Sequence, residues 1–534
     1  MTIEAPTIAA VVGARDEDPV LTEVRLDTLR GDEVLVDIAA SGVCHTDLTA
    51  IDGGVPVGYP MVLGHEGAGT VVATGAAVAH VAVGDRVVLT FDSCGTCARC
   101  RDRHPAACVE FASRNYRGAR PDGSPTMHDA DGRPLGAAWL AQSSWSTRAI
   151  ARAANTVPIG DEIPFALAAA LGCGVLTGAG TVLNVLRPGL DDGLLVIGAG
   201  TVGLAAVMAA RAAGCARIVV VEPSEARRAL ALELGAQVAI APAELDPRAH
   251  RCTRALDTVG TQGAIDAALG ALAAPGMCAT VALRPGANAI TVSQTALLWG
   301  RSLVGVIEGD AVPATAVPML VRLWRAGLLP LERLVTRFPF GHAAEAVRAA
   351  RSGEAVKPVL VMHDDARDAA TPPVRTGTAA TRVRAIAAAG HGDADELAAL
   401  WDVLPAVRSD DLRGLWRGTG IDTGHRVHAM LTRASWYGKD FVDGAHVQPL
   451  VCRDAAGALR ADAELAGGGA WLADCEHRGK VTAAMSYDAR PTHDHFVRVD
   501  ADAVLGVMAG RGALDGGRPY FFLLEREADA GGVA

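Results

Sequence analysis

Up to about residue 155 the apolar positions fall in short runs, EVLVDIAA, GAGTVVATG and DRVVLTF, separated by glycine and aspartate turns. Runs of that length bounded by turn residues predict strands, so residues 1–155 read as a β-rich domain with few helices. From about residue 156 the pattern changes. The apolar run LLVI enters GAGTVG, and RIVVVEPS, VAIAP, CTRALDTVG and MCATVAL follow at intervals filled by Ala/Leu-rich stretches with helical character. Strands alternating with helices predict β-α-β units and a doubly wound α/β sheet over residues 156–294. Residues 295–363 are mixed and end in GEAVKPVLVM, a closing strand expected to complete the first domain.

Residues 364–382 are rich in Pro, Thr and Ala without an apolar period, which is the composition of a linker. Residues 383–527 open with the helix-like ADELAALWDVL. Short alternating runs follow, among them RVHAMLTRASWYG, KDFVDGAHVQPLV, KVTAAMSYD, DHFVRVD and PYFFLLERE. Seven or so such strands with turn residues between them predict a separate antiparallel β-barrel or sandwich.

Size and charge narrow the picture. A chain of 534 residues exceeds one hydrophobic core, so two or three domains are expected. The net charge of −11 argues against a nucleic-acid partner. The N-terminal segment has no basic stretch ahead of its apolar residues, and the longest-looking apolar run, GLAAVMAARAAGC, carries Arg211 in its middle. Neither a secretory signal nor a membrane span is expected, and a cytoplasmic location follows. Eleven cysteines, an odd number that includes a Cys-x-x-Cys pair, favour metal ligands and free thiols over disulfides.

Three constellations carry chemistry. Gly198, Gly200 and Gly203 follow a strand and open a helix, which suits a tight turn and close approach to a pyrophosphate at a helix N-terminus. Glu222 ends the next strand about 20 residues on, where a carboxylate accepts from ribose hydroxyls; this favours NAD over NADP. Arg227 and Arg228 nearby pull the other way. Cys94, Cys97, Cys100 and Cys108 are spaced so that four thiolates can surround one ion. Cys44, His65, Glu66 and Cys173 lie scattered around them in Gly-rich turns. One all-sulfur cluster and one dispersed Cys/His/Cys set are what a structural and a catalytic zinc require, two ions per chain. An iron–sulfur cluster is the alternative for the first set, but that spacing places the fourth cysteine three residues on, whereas seven intervene here. Each member of the second set could singly be a buried core residue. Cys215, Cys252, Cys278, Cys452 and Cys475 show no such pattern and read as structural.

With SGVCHTDL, GHEGAGTVV, the four-cysteine lobe, GCGVLTG, GAGTVG and SGEAVKPVL together, the first ~363 residues resemble the zinc-dependent medium-chain alcohol dehydrogenases. The segment RPDGSPTMHDADGRPLGAAWLAQSSWS is similar to their aryl (benzyl) alcohol branch. The resemblance implies a GroES-like catalytic domain and a Rossmann cofactor domain. It implies Cys44, His65 and Cys173 as catalytic zinc ligands with Glu66 as a close or transient fourth, and Cys94, Cys97, Cys100 and Cys108 around the structural zinc. Asp47 would orient His65, and Thr46 would pass on the substrate's proton. His45 and Lys357 would contact the pyrophosphate, Arg227 would belong to the cofactor site, and Thr177 and Val202 would line the nicotinamide. Many members carry a histidine where Thr49 stands, so the end of the proton path departs from the family's pattern. Trp139 and Trp145 lie where the branch carries aromatics and either line the pocket or pack the core.

The implied reaction is reversible, NAD-dependent oxidation of a hydrophobic primary alcohol, benzylic or allylic and possibly a terpenol, to its aldehyde. Polyol, formaldehyde or glutathione-adduct oxidation is the alternative. A homo-oligomer, dimer or tetramer, is expected, with no nucleic-acid or membrane partner.

Gly414-Leu-Trp416-Arg-Gly418, followed by WYGKDF and PYFFLLE, resembles a GXWXG-type family of uncharacterised function. GLWRGTG is also similar to the first strand of nitrobindin- and fatty-acid-binding-type barrels, so a calycin-like barrel is expected. It could bind the hydrophobic substrate or product, convert the product further, or assist folding or assembly. His446, Lys439, Tyr487, Asp488, His493, Asp494 and His495 are its polar candidates. His493 and His495 share one face of a strand, where a solvated or hydrogen-bonded pair is a commoner outcome than a metal site.

Overall fold

The computed structural model describes residues 6–286, 288–363 and 378–527. They form two compact units, one built from residues up to 363 and the other from residue 378 onward. Among the described residues no single helix is long and apolar enough to cross a membrane.

The β-rich part of the first unit holds two sheets. Thr7–Val12, Val20–Leu26, Met61–Val62, Met127–His128 and Pro134–Leu135 make one of them. The seven-stranded second sheet is organised by Glu33–Gly42, an almost uninterrupted buried run that pairs with Gly67–Thr74, Arg148–Arg152 and Lys357–Val361. GEAVKPVLVM therefore does return to this sheet. Its register, Val359 opposite Gly42, carries Lys357 back to the region of Cys44, and Val43 N–H donates to Pro358 O at 2.9 Å.

The third sheet of this unit is six-stranded, and its neighbouring strands run parallel. Its order across the sheet is Val238–Ile240, Arg217–Val221, Gly193–Ile197, Cys252–Asp257, Leu272–Thr280, Arg301–Gly305. The last strand corrects the boundary expected at residue 294. Gly276 pairs in parallel with Arg301, which places residues 301–305 in the Rossmann sheet and not in the catalytic domain. This edge strand is only half-buried, so it lacks the apolar run that marks its inner neighbours.

In the second unit, helices Ala379–Ala389 and Ala394–Val403 precede the barrel. Residues 379–382, expected in the linker, are thus helical; 364–377 lie outside the described residues. Eight antiparallel strands close a barrel because Trp436–Phe441 pairs with both Gly414–Gly420 and Val447–Arg453, and Leu459–Ala461 adds to the edge. One expected strand run is corrected: Arg426–Arg433 is a helix, and only Trp436 onward is strand. Val427, Met430 and Leu431 stand at helical spacing within a stretch that also alternates, and they pack on the barrel core. Trp416, Phe441 and Phe496 fill the interior edge to face, with centroids 6.3 and 5.8 Å apart. Gly418 is a position where a side chain cannot fit, since a Cβ there would sit 2.2 Å from the Trp436 ring.

Candidate active site

Cys44 caps the helix His45–Ile51, and Cys173 precedes the helix Gly174–Gly180. His65 and Glu66 lie at the entrance to the strand Gly67–Thr74. The ligand atoms of Cys44, His65, Glu66 and Cys173 come within 4.8 Å of one another. Asp47 is fully buried and accepts from His65 Nδ1 at 2.8 Å, Cys44 N at 3.0 Å, Gly64 N at 3.3 Å and Trp139 Nε1 at 2.9 Å. A carboxylate beside Nδ1 places the proton there and leaves the lone pair of Nε2 free. That Nε2 is buried and has no hydrogen-bond partner among the described residues, and it faces the two sulfurs. An orphaned imidazole nitrogen between two thiols fits a zinc ion better than it fits a packed core.

The electrostatics draw positive charge to this spot. Contact with Cys173, opposed by burial, and then the charges of Lys357 and His65 hold the Cys44 thiol well below its ordinary range. Burial works against a charged His65, but Asp47 and Cys44 push it well above the usual value. Glu66 is held by Lys357, whose Nζ lies 2.6 and 2.8 Å from its two oxygens, and it also accepts from Gly174 N at 3.0 Å. Gly42 makes room for it, because a Cβ there would meet Glu66 Oε2 at 1.9 Å. Lys357, expected against a pyrophosphate, is 1% exposed and spends its charge on this pair.

In the all-cysteine set, Cys97 and Cys100 sulfurs are 3.5 Å apart and Cys94 and Cys100 3.9 Å. Two thiolates on one tetrahedral zinc stand about 3.8 Å apart, so the spacing suits a shared ion and is too long for a disulfide. Backbone N–H groups of Thr96 and Cys97 draw the Cys94 thiol down to about 6.

At the nucleotide turn, Gly198 has φ +93° and a Cβ at Gly203 would lie 2.0 Å from Gly198 O, so both positions demand glycine. Gly200 faces open space. Glu222 directly follows the strand Arg217–Val221, is 5% exposed, and accepts from Ala199 N at 2.7 Å and Ser224 N at 2.9 Å. Arg228 donates to the carbonyls of Glu222 and Pro223, and Arg227 to that of Gly353. Thr177 precedes Gly178, whose missing side chain lets the Val202 carbonyl approach; a Cβ would lie 2.1 Å from it. His45 is exposed on the first turn of its helix.

The comparisons with known proteins agree with this geometry. The family model "Alcohol dehydrogenase GroES-like domain" matches residues 30–161, and "Zinc-binding dehydrogenase" matches residues 201–323. A geraniol dehydrogenase of Castellaniella defragrans is 44% identical over 349 residues, which span 63% of this chain and 93% of that protein. The chain belongs to the zinc-type alcohol dehydrogenase family.

Among solved structures, an alcohol dehydrogenase zinc-binding domain protein from Burkholderia ambifaria superposes with TM-score 0.66 at 39% identity. It covers 67% of this chain and 100% of its own. Benzyl alcohol dehydrogenase from Acinetobacter calcoaceticus gives TM-score 0.64 at 35% identity with the same coverage. Beyond the dehydrogenase part, a model described as "GXWXG protein" matches residues 399–457, and a domain of unknown function, DUF4334, matches 468–526.

Sequence reasoning missed two groups at this dehydrogenase site. Glu308 Oε1 lies 3.8 Å from Cys173 Sγ, and its other oxygen is buried without a partner among the described residues. Burial, set against His65 and reinforced by Cys44, pushes Glu308 up to about 7. Glu308, Gly309 and Asp310 all have positive φ, at 50°, 64° and 48°, a turn that aims Glu308 at Cys173 while Asp310 pairs with His104 of the four-cysteine lobe at 2.8 Å. Only the triplet Glu-Gly-Asp hints at this in sequence. Tyr116 is the second; burial and the charges of Glu308, Cys173 and Cys44 raise it above the ordinary tyrosine range. Trp139 and Trp145 are fully buried, and Trp145 Nε1 donates to Gly42 O at 3.1 Å, so both indoles brace the site from within the core.

In the barrel, Lys439, Tyr487 and Asp494 converge. The other polar candidates do not join them. His446 pairs with Asp443 at the surface, Asp488 is exposed, and His493 bonds Ser486 at 2.9 Å. His495 stacks on His477 with centroids 4.3 Å apart.

Proposed function

We propose that the chain is an NAD-dependent alcohol dehydrogenase with two zinc ions, oxidising a hydrophobic primary alcohol, benzylic or allylic, reversibly to its aldehyde. The observation that carries the reading is the orphaned His65 Nε2 facing the thiols of Cys44 and Cys173, with Asp47 fixing the ring. Those three residues would hold the catalytic ion, and Cys94, Cys97, Cys100 and Cys108 the structural one. Zinc bound there would supply Lewis acidity that makes an alcohol's proton easier to lose at neutral pH.

The chain's own groups supply the rest. The Thr46 hydroxyl, 3.9 Å from Cys44 Sγ, is the first acceptor of the substrate's proton. Thr49 cannot extend that path in the usual way, because its hydroxyl donates to His45 O at 3.0 Å. The proton leaves instead toward solvent past the exposed His45. Glu222 accepts from the adenosine ribose and disfavours an added phosphate, and the engagement of Arg227 and Arg228 by backbone carbonyls supports NAD over NADP. The names of the geraniol and benzyl alcohol dehydrogenase relatives support an apolar, unsaturated substrate. The barrel is proposed to bind that hydrophobic substrate or its product.

Turnover of benzyl alcohol and geraniol against sorbitol and S-hydroxymethyl thiols, each with NAD and NADP, tests the reading. Preference for the polar alcohols overturns the substrate class. Glu222→Ala is expected to cut kcat/KM for NAD about 10–100-fold, as a hydrogen bond to a charged group contributes about 1.5–3 kcal/mol. A variant with unaltered NAD kinetics would remove Glu222 from the cofactor site.

A further inference from the structure

The second unit contains a small, partly open cavity of about 50 Å³ at the barrel mouth. Its walls are largely apolar, built by Val427, Met430 and Leu431 of the capping helix and by Leu450, Met508 and Phe522 of the strands. Apolar walls with a few convergent polar groups are the usual pattern of a small-molecule site.

The polar groups are specific. Lys439, 2% exposed, pairs with Asp494 at 2.9 Å and donates to Pro449 O at 3.0 Å and to Tyr487 Oη at 3.3 Å. Tyr487 Oη in turn donates to Asp494 Oδ2 at 3.0 Å. All three ammonium hydrogens are engaged and the charge of this buried pair is balanced, which leaves the exposed Arg490 as the other charged residue on the cavity wall. A buried ion pair gives no stability advantage over well-packed apolar side chains, so its place at a cavity wall is unexplained by folding alone.

Tyr520 stands apart. It lines the same cavity and is 2% exposed, yet its hydroxyl has no partner among the described residues. An unmet buried hydroxyl is unfavourable, and a ligand oxygen would relieve it. Gly420 keeps the space beside it clear, because a Cβ there would lie 2.5 Å from Tyr520 Oη. Burial, with Asp494 and Asp422 nearby, raises Tyr520 above the ordinary tyrosine range, so the group stays protonated and able to donate.

We propose that the barrel interior is a second ligand site that takes a neutral hydrophobic carbonyl compound, its oxygen accepting from Tyr520 Oη and its apolar body lying against Met430, Leu450, Met508 and Phe522. The selection of an aldehyde among such compounds rests on the dehydrogenase reading above, since that reaction releases one. The site itself stands on the cavity, the balanced Lys439–Asp494 pair and the orphaned hydroxyl.

The full-length protein without NAD, titrated calorimetrically with benzaldehyde, citral, the hydrocarbon p-cymene and octanoate, tests this. Aldehyde binding is expected to persist in Cys44→Ala, which disables the dehydrogenase site, and to weaken about tenfold in Tyr520→Phe while p-cymene is unaffected. Met430→Trp, which fills the cavity mouth, is expected to abolish it. Both barrel variants should keep wild-type benzyl alcohol oxidation. Aldehydes binding no better than p-cymene, octanoate binding best, or unchanged aldehyde affinity in Tyr520→Phe overturns the proposal. Should Met430→Trp fail to fold, the isosteric Tyr520→Phe decides alone. Aldehyde binding in a chain that forms no NADH from any alcohol keeps the barrel site and discards the dehydrogenase reading.

Discussion

Cys44→Ala is expected to abolish alcohol oxidation, by about 10³-fold or more, and to reduce bound zinc from about two ions per chain to about one. The magnitude follows from the several kcal/mol of transition-state charge stabilisation that a Lewis acid contributes, at about 1.4 kcal/mol per tenfold in rate. Cys44 and Cys173 together bracket His65 Nε2, and no other described group is placed to replace the lost sulfur except the carboxylates of Glu66 and Glu308. Glu66 is already paired with Lys357, which leaves Glu308 as the candidate substitute. Elemental analysis beside steady-state rates checks the result. A variant that keeps both ions and most of its activity would mean that the cluster is not the reaction centre.

The second large effect concerns stability. Lys357→Met leaves Glu66 buried beside Cys44 with only Gly174 N–H to satisfy it. Removing one partner of a buried ion pair costs about 3–5 kcal/mol, whereas replacing both by apolar groups is often close to neutral. Urea unfolding of the dehydrogenase unit should therefore show a large loss in Lys357→Met and a substantial recovery in Glu66→Leu/Lys357→Met. Burial has already raised Glu66, opposed by Lys357, so the single variant drives it higher still. A carboxyl whose folded pKa is raised costs nothing when protonated in both states. The deficit should thus be smallest near pH 4 and grow as pH rises past the ordinary carboxylate range. A loss below about 1 kcal/mol at pH 7 would contradict a dry pair at this position.

Much of this molecule is legible in local pattern. The four cysteines of the structural lobe lie within one short stretch, so their spacing alone predicts a cluster. The turn Gly198–Gly203 is read from a strand, three glycines and a helix that are contiguous in the chain, and the strand ending at Glu222 follows by period. Alternation also marks the barrel, although it cannot distinguish the helix Arg426–Arg433 from a strand, because Val427, Ala429 and Leu431 alternate while Val427, Met430 and Leu431 stand at helical spacing.

What escapes local pattern is whatever depends on register between distant segments. Lys357 reaches Glu66 only because Val359 pairs with Gly42, and Glu308 reaches Cys173 only through three successive left-handed residues. Strand parity in the barrel turns Asp494 inward to Lys439 while its neighbours His493 and His495 engage groups on the other face, which sorts candidates that composition left equal. Periodicity and short spacings are properties of adjacent residues, so the chain alone determined its strands, its metal lobe and its nucleotide turn. Which buried charge meets which partner is a property of sheet pairing and packing, and only the tertiary structure decided it.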